Sequence, residues 1–255
     1  MKEFPNLLAI CATCGRFSCL KRSLALFIDQ DYIGEHTLLI FNNSEVPYTI
    51  ELPELLKNKH VILINNHLNS KTGIPYSSLG EIYNDVRNFW PDEVEVVYSH
   101  DDDDLYLPNH ISEGVKGLHR CGKLAYKPKY SWFKHSGGVE LMENTLEPSI
   151  FVNAKFLKEV GYRDGINVSS HLSWVEELLR RDEICSDPEG IPTLLYTWGT
   201  DPVYKTSGAG ETPTNFENYR RFSTDFGNKV VSPAARLSYK DLLRVPNAIA
   251  SGYPI

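Results

Sequence analysis

The apolar positions in the first hundred residues follow two rhythms. LLAIC (7–11), HTLLIF (36–41) and HVILI (60–64) are nearly unbroken apolar runs. Without polar alternation, such runs fit strands of a parallel sheet covered on both faces. Between the first two, Phe17, Leu20, Leu24, Phe27 and Ile28 recur at the spacing of one helix face, as far as Gln30. Ser78 and Glu81 form a capping box. It opens a helix whose inner face is Leu79, Ile82, Tyr83, Val86 and Trp90. A fourth strand follows at 94–98.

Strand, helix, strand, strand, helix, strand is the order of an open α/β sheet. Ligands of such sheets bind outside the carboxyl ends of the strands. Each predicted strand ends in a polar cluster, at 13–16, 42–44, 65–66 and 101–104. If the strands are parallel neighbours, these clusters share one rim. Beyond them, Pro108 sits near a helix start, with Ile111, Val115 and Leu118 on one face. Short β-like pieces follow between 123 and 153. A helix over 154–160 stops at Gly161, a suitable C-terminal residue. Residues 173–181 read as helix and 193–198 as strand. The polar stretch GTDPVYKTSGAGETPTN (199–215) has the length and composition of a lid or a disordered loop. The chain therefore reads as one catalytic domain over 1–215, with a nucleotide-binding half to about 110 and an acceptor half to 215. Residues 216–255 form an extension packing on it.

Composition narrows this picture. The 255 residues are 42% hydrophobic and carry a net charge of −7, with a pI near 5.6. Broad electrostatic capture of nucleic acid needs the opposite sign. No apolar stretch reaches the roughly 20 residues that cross a bilayer, and the N-terminus reads as a strand rather than a signal peptide. A cytoplasmic protein is expected. Cys11 and Cys14 have zinc-like spacing, but no second pair follows. The five cysteines are expected as free thiols.

The strongest chemical signal is Asp101-Asp102-Asp103-Asp104, directly after the fourth strand. Three explanations compete. One is a solvated acidic turn. Another is a calcium loop, which fails because Tyr106 and Ser112 stand where glycine and glutamate are required. The third is a site for Mg²⁺ or Mn²⁺, whose sites commonly combine one or two carboxylates with substrate phosphates.

Strand, Asp-x-Asp-Asp, an apolar pair and Pro108-Asn109-His110 resemble the DXD region of family 2 glycosyltransferases with a GT-A fold. Cys11 to Arg16 is similar to that family's first strand and Thr-x-x-Arg turn. Leu79 to Asn84 resembles a helix whose asparagine lies near the nucleotide. Phe151 to Tyr162 is similar to a segment ending in a Val-Gly-aromatic turn. The likeness spans roughly residues 5–200. Two departures stand out: Asn42 replaces an aspartate at the second strand, and no acidic motif precedes Arg180 and Arg181.

The resemblance implies a GT-A-like open, mostly parallel sheet flanked by helices. It also implies a metal-dependent hexosyl or pentosyl transferase that moves sugar from a nucleoside-diphosphate sugar, UDP favoured over GDP, to an acceptor hydroxyl with inversion. Asp101 and Asp103 would take the metal, Mn²⁺ or Mg²⁺. Thr13, Arg16, Asn42, Asn43, Asn84, Asp101, Asp102 and the lid residue Lys205 would bind the nucleotide sugar, and Asp104 would position the sugar. His171 and Glu176 are the candidates for general base. His100 is a candidate outer ligand. Trp132, Trp174 and Trp198 are candidate stacking residues, with Trp174 retained. The acceptor is left open among glycan, lipid, protein and small molecule. Hydroxymethylated DNA would need the basic cluster Lys123, Lys127, Lys129 and Lys134. A metal-dependent nucleotidyltransferase and a non-catalytic nucleotide- or sugar-binding module are the alternatives.

Overall fold

The structure, a computed structural model, describes residues 2–49, 59–135, 138–143, 147–165, 170–197 and 230–232. It is a mixed α/β fold built on a seven-stranded, mostly parallel sheet flanked by helices. Strands β1 (Leu7–Thr13), β2 (His36–Asn42) and β3 (Lys59–Asn65) run parallel, and β4 (Val96–Ser99) joins β1 on its other side. The sequence-predicted order of elements is present, with β1, β2 and β3 each longer at one or both ends.

The remaining elements are β5 (Leu105–Tyr106), β6 (Ala125–Pro128), β7 (Tyr130–His135), β8 (Gly138–Glu143), β9 (Phe151–Asn153), β10 (Ile184–Asp187), β11 (Leu194–Thr197) and β12 (Val230–Ser232). Among them run helices α1 (Phe17–Ile28), α2 (Leu79–Val86), α3 (His110–Cys121), α4 (Ala154–Val160) and α5 (Leu172–Arg180). The large sheet has the order β10-β6-β9-β4-β1-β2-β3, with β9 antiparallel to both its neighbours. A second sheet has the order β12-β8-β7-β11-β5.

Strand alternation divides the core. Leu7, Ala9, Cys11, Leu38 and Ile40 face α1 and α3, meeting Leu20, Phe27, Ile111 and Val115. Leu8, Ile10, Leu39 and Phe41 face the other way, toward Ile82, Val86, Phe156, Leu157, Trp174 and Leu178. Neighbours in sequence thus feed opposite cores, which is why these strands read as continuous apolar runs. Each fully buried aliphatic side chain adds roughly 1.5–3 kcal/mol. Ser78 caps α2 by accepting from the Glu81 N–H at 3.2 Å, as its sequence predicts.

One expectation is corrected. Cys121, the last residue of α3, and Cys185 in β10 form a disulfide, with Cα atoms 6.2 Å apart. The parallel pairing of β10 with β6, which follows α3, carries the two cysteines together across a separation of 64 residues. Cys11, Cys14 and Cys19 remain as thiols. Reduction, or Cys185→Ser, is expected to lower unfolding free energy by about 2–4 kcal/mol. Denaturation midpoints that are the same with and without reductant would show that the two sulfurs are not joined.

Candidate active site

The rim anticipated from the sequence exists. Thr13 pairs with Asn42 and Asn42 with Asn65, so β1, β2 and β3 end level with one another. Ser99, the last residue of β4, pairs with Ile10. Because β2 and β4 flank β1 on opposite sides, a crevice opens between the ends of β1 and β4, the usual ligand position in such sheets. The four aspartates fill it. The His100 N–H donates to the Ile10 carbonyl at 2.7 Å and fixes where they begin.

They are not a solvated turn. Asp102 is 0% exposed, Asp103 6% and Asp104 1%. The positive charge that compensates them comes from the chain itself. Arg16 lies 2.5 Å through Nη2 from Asp102 Oδ1 and 2.9 Å through Nη1 from Asp103 Oδ2. Thr13 Oγ1 donates to Asp102 Oδ2 at 2.6 Å, and Arg22 donates to the Asp103 carbonyl at 2.9 Å. Asp104 turns away, accepting the Thr197 N–H through Oδ1 at 2.8 Å. Its Oδ2 is buried with no partner among the described residues.

The Arg16 and Arg22 guanidiniums do not neutralise four carboxylates. Burial, then Asp103 and Glu147, push the Asp101 carboxyl well above the usual range. Burial and the Asp103 and Asp101 charges do the same to Asp104. Burial lifts Asp102 to about 6, with Arg16 opposing the rise. Desolvation and like charge both favour the neutral form, so this is a place where an added cation would be bound favourably.

Asp101 faces a second group of side chains. Tyr83 donates its hydroxyl to Asp101 Oδ1 at 3.3 Å, and its ring stacks on Tyr162 at 4.7 Å between centroids. Glu147, in the short helical turn Glu147–Ser149, accepts from Ser99 Oγ at 2.9 Å through Oε1. Its Oε2 lies 3.2 Å from His171 Nδ1, and burial, then the Glu147 charge, push the Tyr162 phenol well above its usual range. His171 precedes the first residue of α5, where its carbonyl accepts from the N–H groups of Trp174 and Val175. Tyr83 and Tyr162 fall inside segments the resemblance covers, whereas Ser99 and Glu147 have no motif signal in the sequence. The one available hint is an isolated acid just before a predicted strand.

Other sequence candidates are occupied elsewhere. Asn42 is fully buried, giving its amide to Val46 O and Asn65 Oδ1 and accepting the Ser44 N–H. Asn43 stays half-buried at the rim, with its N–H donated to Thr13 O. Asn84 bonds the Tyr162 backbone at both N–H and carbonyl, and Asp164 as well. It joins α2 to the 162–164 turn. Glu176 is 60% exposed and pairs with Arg163 on the outer face of α5. Arg180 and Arg181 pair with Glu177.

His100 is a core residue rather than a metal ligand. It is 0% exposed, bonded to Tyr98 and to Ser23 O, with burial holding it down at about 4. Trp174 and Trp132 are likewise buried and present no face to a sugar. Lys123 pairs with Asp182, Lys129 with Glu143, and Lys127 is buried, so these three do not form a basic groove. Trp198, Lys205 with its loop, and all of 216–255 except a short strand lie outside the described residues.

A cage of three or more acidic, histidine or cysteine ligands does not form among the described residues. Asp101 and Asp103 nevertheless fit a Mg²⁺ or Mn²⁺ that takes its remaining ligands from phosphates and water. Both are hard oxygen donors in a crevice with excess negative charge.

No protein family matches the chain at the level of sequence, and no curated protein does. Solved structures share its fold. S. aureus TarS 1–349 superposes with a TM-score of 0.55 at 14% identity, over 75% of this chain and 60% of that one. The same protein in complex with UDP-GlcNAc gives 0.59 at 13%, over 85% and 65%. The mannosyltransferase PcManGT from Pyrobaculum calidifontis, in complex with GDP-Man and Mn²⁺, gives 0.53 at 12%, over 79% and 58%. The chain spans less than two thirds of the length of these neighbours.

Proposed function

We propose that this protein transfers a sugar from a nucleoside-diphosphate donor, a UDP-sugar in preference to a GDP-sugar, to an acceptor hydroxyl with inversion. The observation that carries the proposal is the buried aspartate cluster, met by Thr13 and Arg16, at the β1/β4 crevice. It occupies this position in a fold shared with proteins solved with UDP-GlcNAc and with GDP-Man and Mn²⁺.

In this reading Thr13, Arg16, Asn43, Asp101 and Asp102 bind the nucleotide, and Asp104 positions the sugar. Asn42 and Asn84 act by holding the rim and the α2 seam in shape. Asp101 and Asp103 hold the divalent ion, which supplies Lewis-acid stabilisation of the departing diphosphate. Arg16 is already within reach of that region and adds a fixed positive charge where negative charge develops. The acceptor hydroxyl loses its proton to a base on the Asp101 side of the crevice. His171 fits that role better than Glu176, which faces solvent.

The test is thermal stabilisation by UDP and by GDP, each with and without Mn²⁺, in the wild type and in Asp103→Ala. At a hundredfold excess over its dissociation constant, the bound nucleotide adds about 2.7 kcal/mol. Metal-dependent stabilisation that disappears in Asp103→Ala is the expected result. Absence of any shift with either nucleotide would remove the glycosyl-transfer reading.

A further inference from the structure

Glu147 has both carboxylate oxygens committed, and no sequence pattern marks it. Glu147 is held from below by Ser99, the residue that ends β4 and leads through His100 into the aspartates. Its other oxygen reaches His171 Nδ1. Both side chains are largely buried, 11% and 17% exposed. Both backbones are also fixed. Glu147 O accepts the Ile150 N–H at 2.9 Å, and His171 O accepts two N–H groups of α5. An imidazole held against a largely buried carboxylate is more than a solvent-facing histidine.

An ionised carboxylate is an acceptor only. The nitrogen facing Glu147 must therefore carry the hydrogen, and in the neutral ring Nε2 is left with its lone pair. A carboxylate fixes a histidine's tautomer and orientation in this way, and stabilises the imidazolium that forms when the ring takes a proton. The charge of Glu147 acts on Asp101, Tyr83 and Tyr162, and Trp174 lies 6.1 Å from the imidazole ring.

We propose that Glu147 is the positioning residue for His171, and that Ser99 ties this pair to the strand carrying the aspartates. The proposal rests on the glycosyl-transfer reading and adds the machinery of its base. In the step itself, His171 Nε2 takes the proton from the acceptor O–H. The acceptor oxygen forms a bond to the anomeric carbon. The bond from that carbon to the phosphate oxygen breaks, and its electron pair leaves with the nucleoside diphosphate. Glu147 remains ionised and hydrogen-bonded to the imidazolium.

The experiment uses the full chain and needs no acceptor, because water can take the acceptor's place. UDP release from UDP-GlcNAc and GDP release from GDP-Man are followed for the wild type, Glu147→Gln, Glu147→Asp and His171→Ala. Thermal stabilisation by UDP is measured alongside. In a second arm, ¹⁵N chemical shifts of the imidazole report which nitrogen of His171 carries the hydrogen.

Glu147→Gln is expected to lose about 100-fold or more in kcat, with donor KM and the UDP-induced shift unchanged. Glu147→Asp should restore at least part of that loss, and His171→Ala should match Glu147→Gln. The wild-type ring should be the Nδ1–H form, with that preference weakened in Glu147→Gln. A Glu147→Gln variant that turns over like the wild type, or loses only through KM, overturns the proposal. So does a wild-type His171 found in the Nε2–H form. If the wild type binds UDP but releases no diphosphate from either donor, glycosyl transfer falls. The ¹⁵N result still decides whether Glu147 sets the ring.

Discussion

Asp104→Asn will melt roughly 5 °C above the wild type at pH 7.5, a gain on the order of 2 kcal/mol from removing a buried charge with one unpaired oxygen. The native acceptor survives the change, since an amide oxygen can still take the Thr197 N–H that Oδ1 now accepts. What disappears is a carboxylate pushed well above its usual range by burial and by Asp103 and Asp101. The pH dependence follows from the sign of that shift. An unfolded aspartate titrates near 3.9, and the folded one titrates higher. Between the two values the native state binds more protons than the unfolded state, so wild-type stability falls as pH rises through that window. An amide in place of the carboxyl group does not titrate and has no such loss. The variant's advantage is therefore largest at neutral pH and closes as pH drops toward 4. Differential scanning calorimetry at several pH values checks this, and a variant less stable than wild type at pH 7.5 would refute it. Under the proposed function the same substitution weakens sugar positioning, so stability and turnover should move in opposite directions.

Gly80→Ala carries a large effect of the opposite sign. A Cβ at residue 80 would come closer to the Arg163 carbonyl group than van der Waals contact permits, at 2.8 Å from its carbon and nearer still to its oxygen. Both are backbone atoms and cannot swing aside like the end of a side chain. The turn they belong to is tied to α2 at several points: Asn84 bonds both sides of the Tyr162 peptide, and the Gly165 N–H donates to Ser78 Oγ at 3.0 Å. Separating α2 from this turn should cost about 1–3 kcal/mol. It would also unstack Tyr162 from Tyr83, whose hydroxyl donates to Asp101. The expected outcome is a lower denaturation midpoint with kcat reduced and UDP stabilisation retained, because Thr13 and Arg16 lie on the far side of the aspartates. An unchanged midpoint would mean that the seam yields without cost.

The aspartate side of the site is readable because its signals are local. Each parallel strand is an apolar run that ends in a polar cluster, so Thr13, Arg16 and Asp101 to Asp104 fall on one rim by pattern alone. Short strands are harder. β5, with two residues, and β10, with four of mixed burial, carry no alternation long enough to detect. The opposite side of the site is illegible for a different reason. Glu147 meets Ser99 across 48 residues and reaches His171 past both β9 and α4, and pairing of that kind leaves no trace in spacing. Asn42 and Asn84 sit at the expected places, but their amides are consumed by neighbours that composition does not reveal. Arg16 illustrates the converse. Its type and place are clear from the sequence, while its partners, Asp102 and Asp103, follow only from the adjacency of β1 and β4.

The bond between Cys121 and Cys185 divides the crevice by chain topology. Glu147, Tyr162 and His171 all belong to the covalent ring it closes, whereas Thr13, Arg16, Tyr83 and the aspartates lie outside. The two sides of the crevice are thus separately tethered pieces of chain: an open scaffold bearing the anionic cluster, and a ring with a fixed mouth 6.2 Å wide between its terminal Cα atoms. Closing a ring costs little more when it is lengthened, since the entropy grows only with the logarithm of its size. Insertions on its outer circumference would therefore reshape the wall opposite the aspartates while leaving the scaffold's strand ends in register, which gives this architecture a route to new partners that leaves its anionic half unaltered.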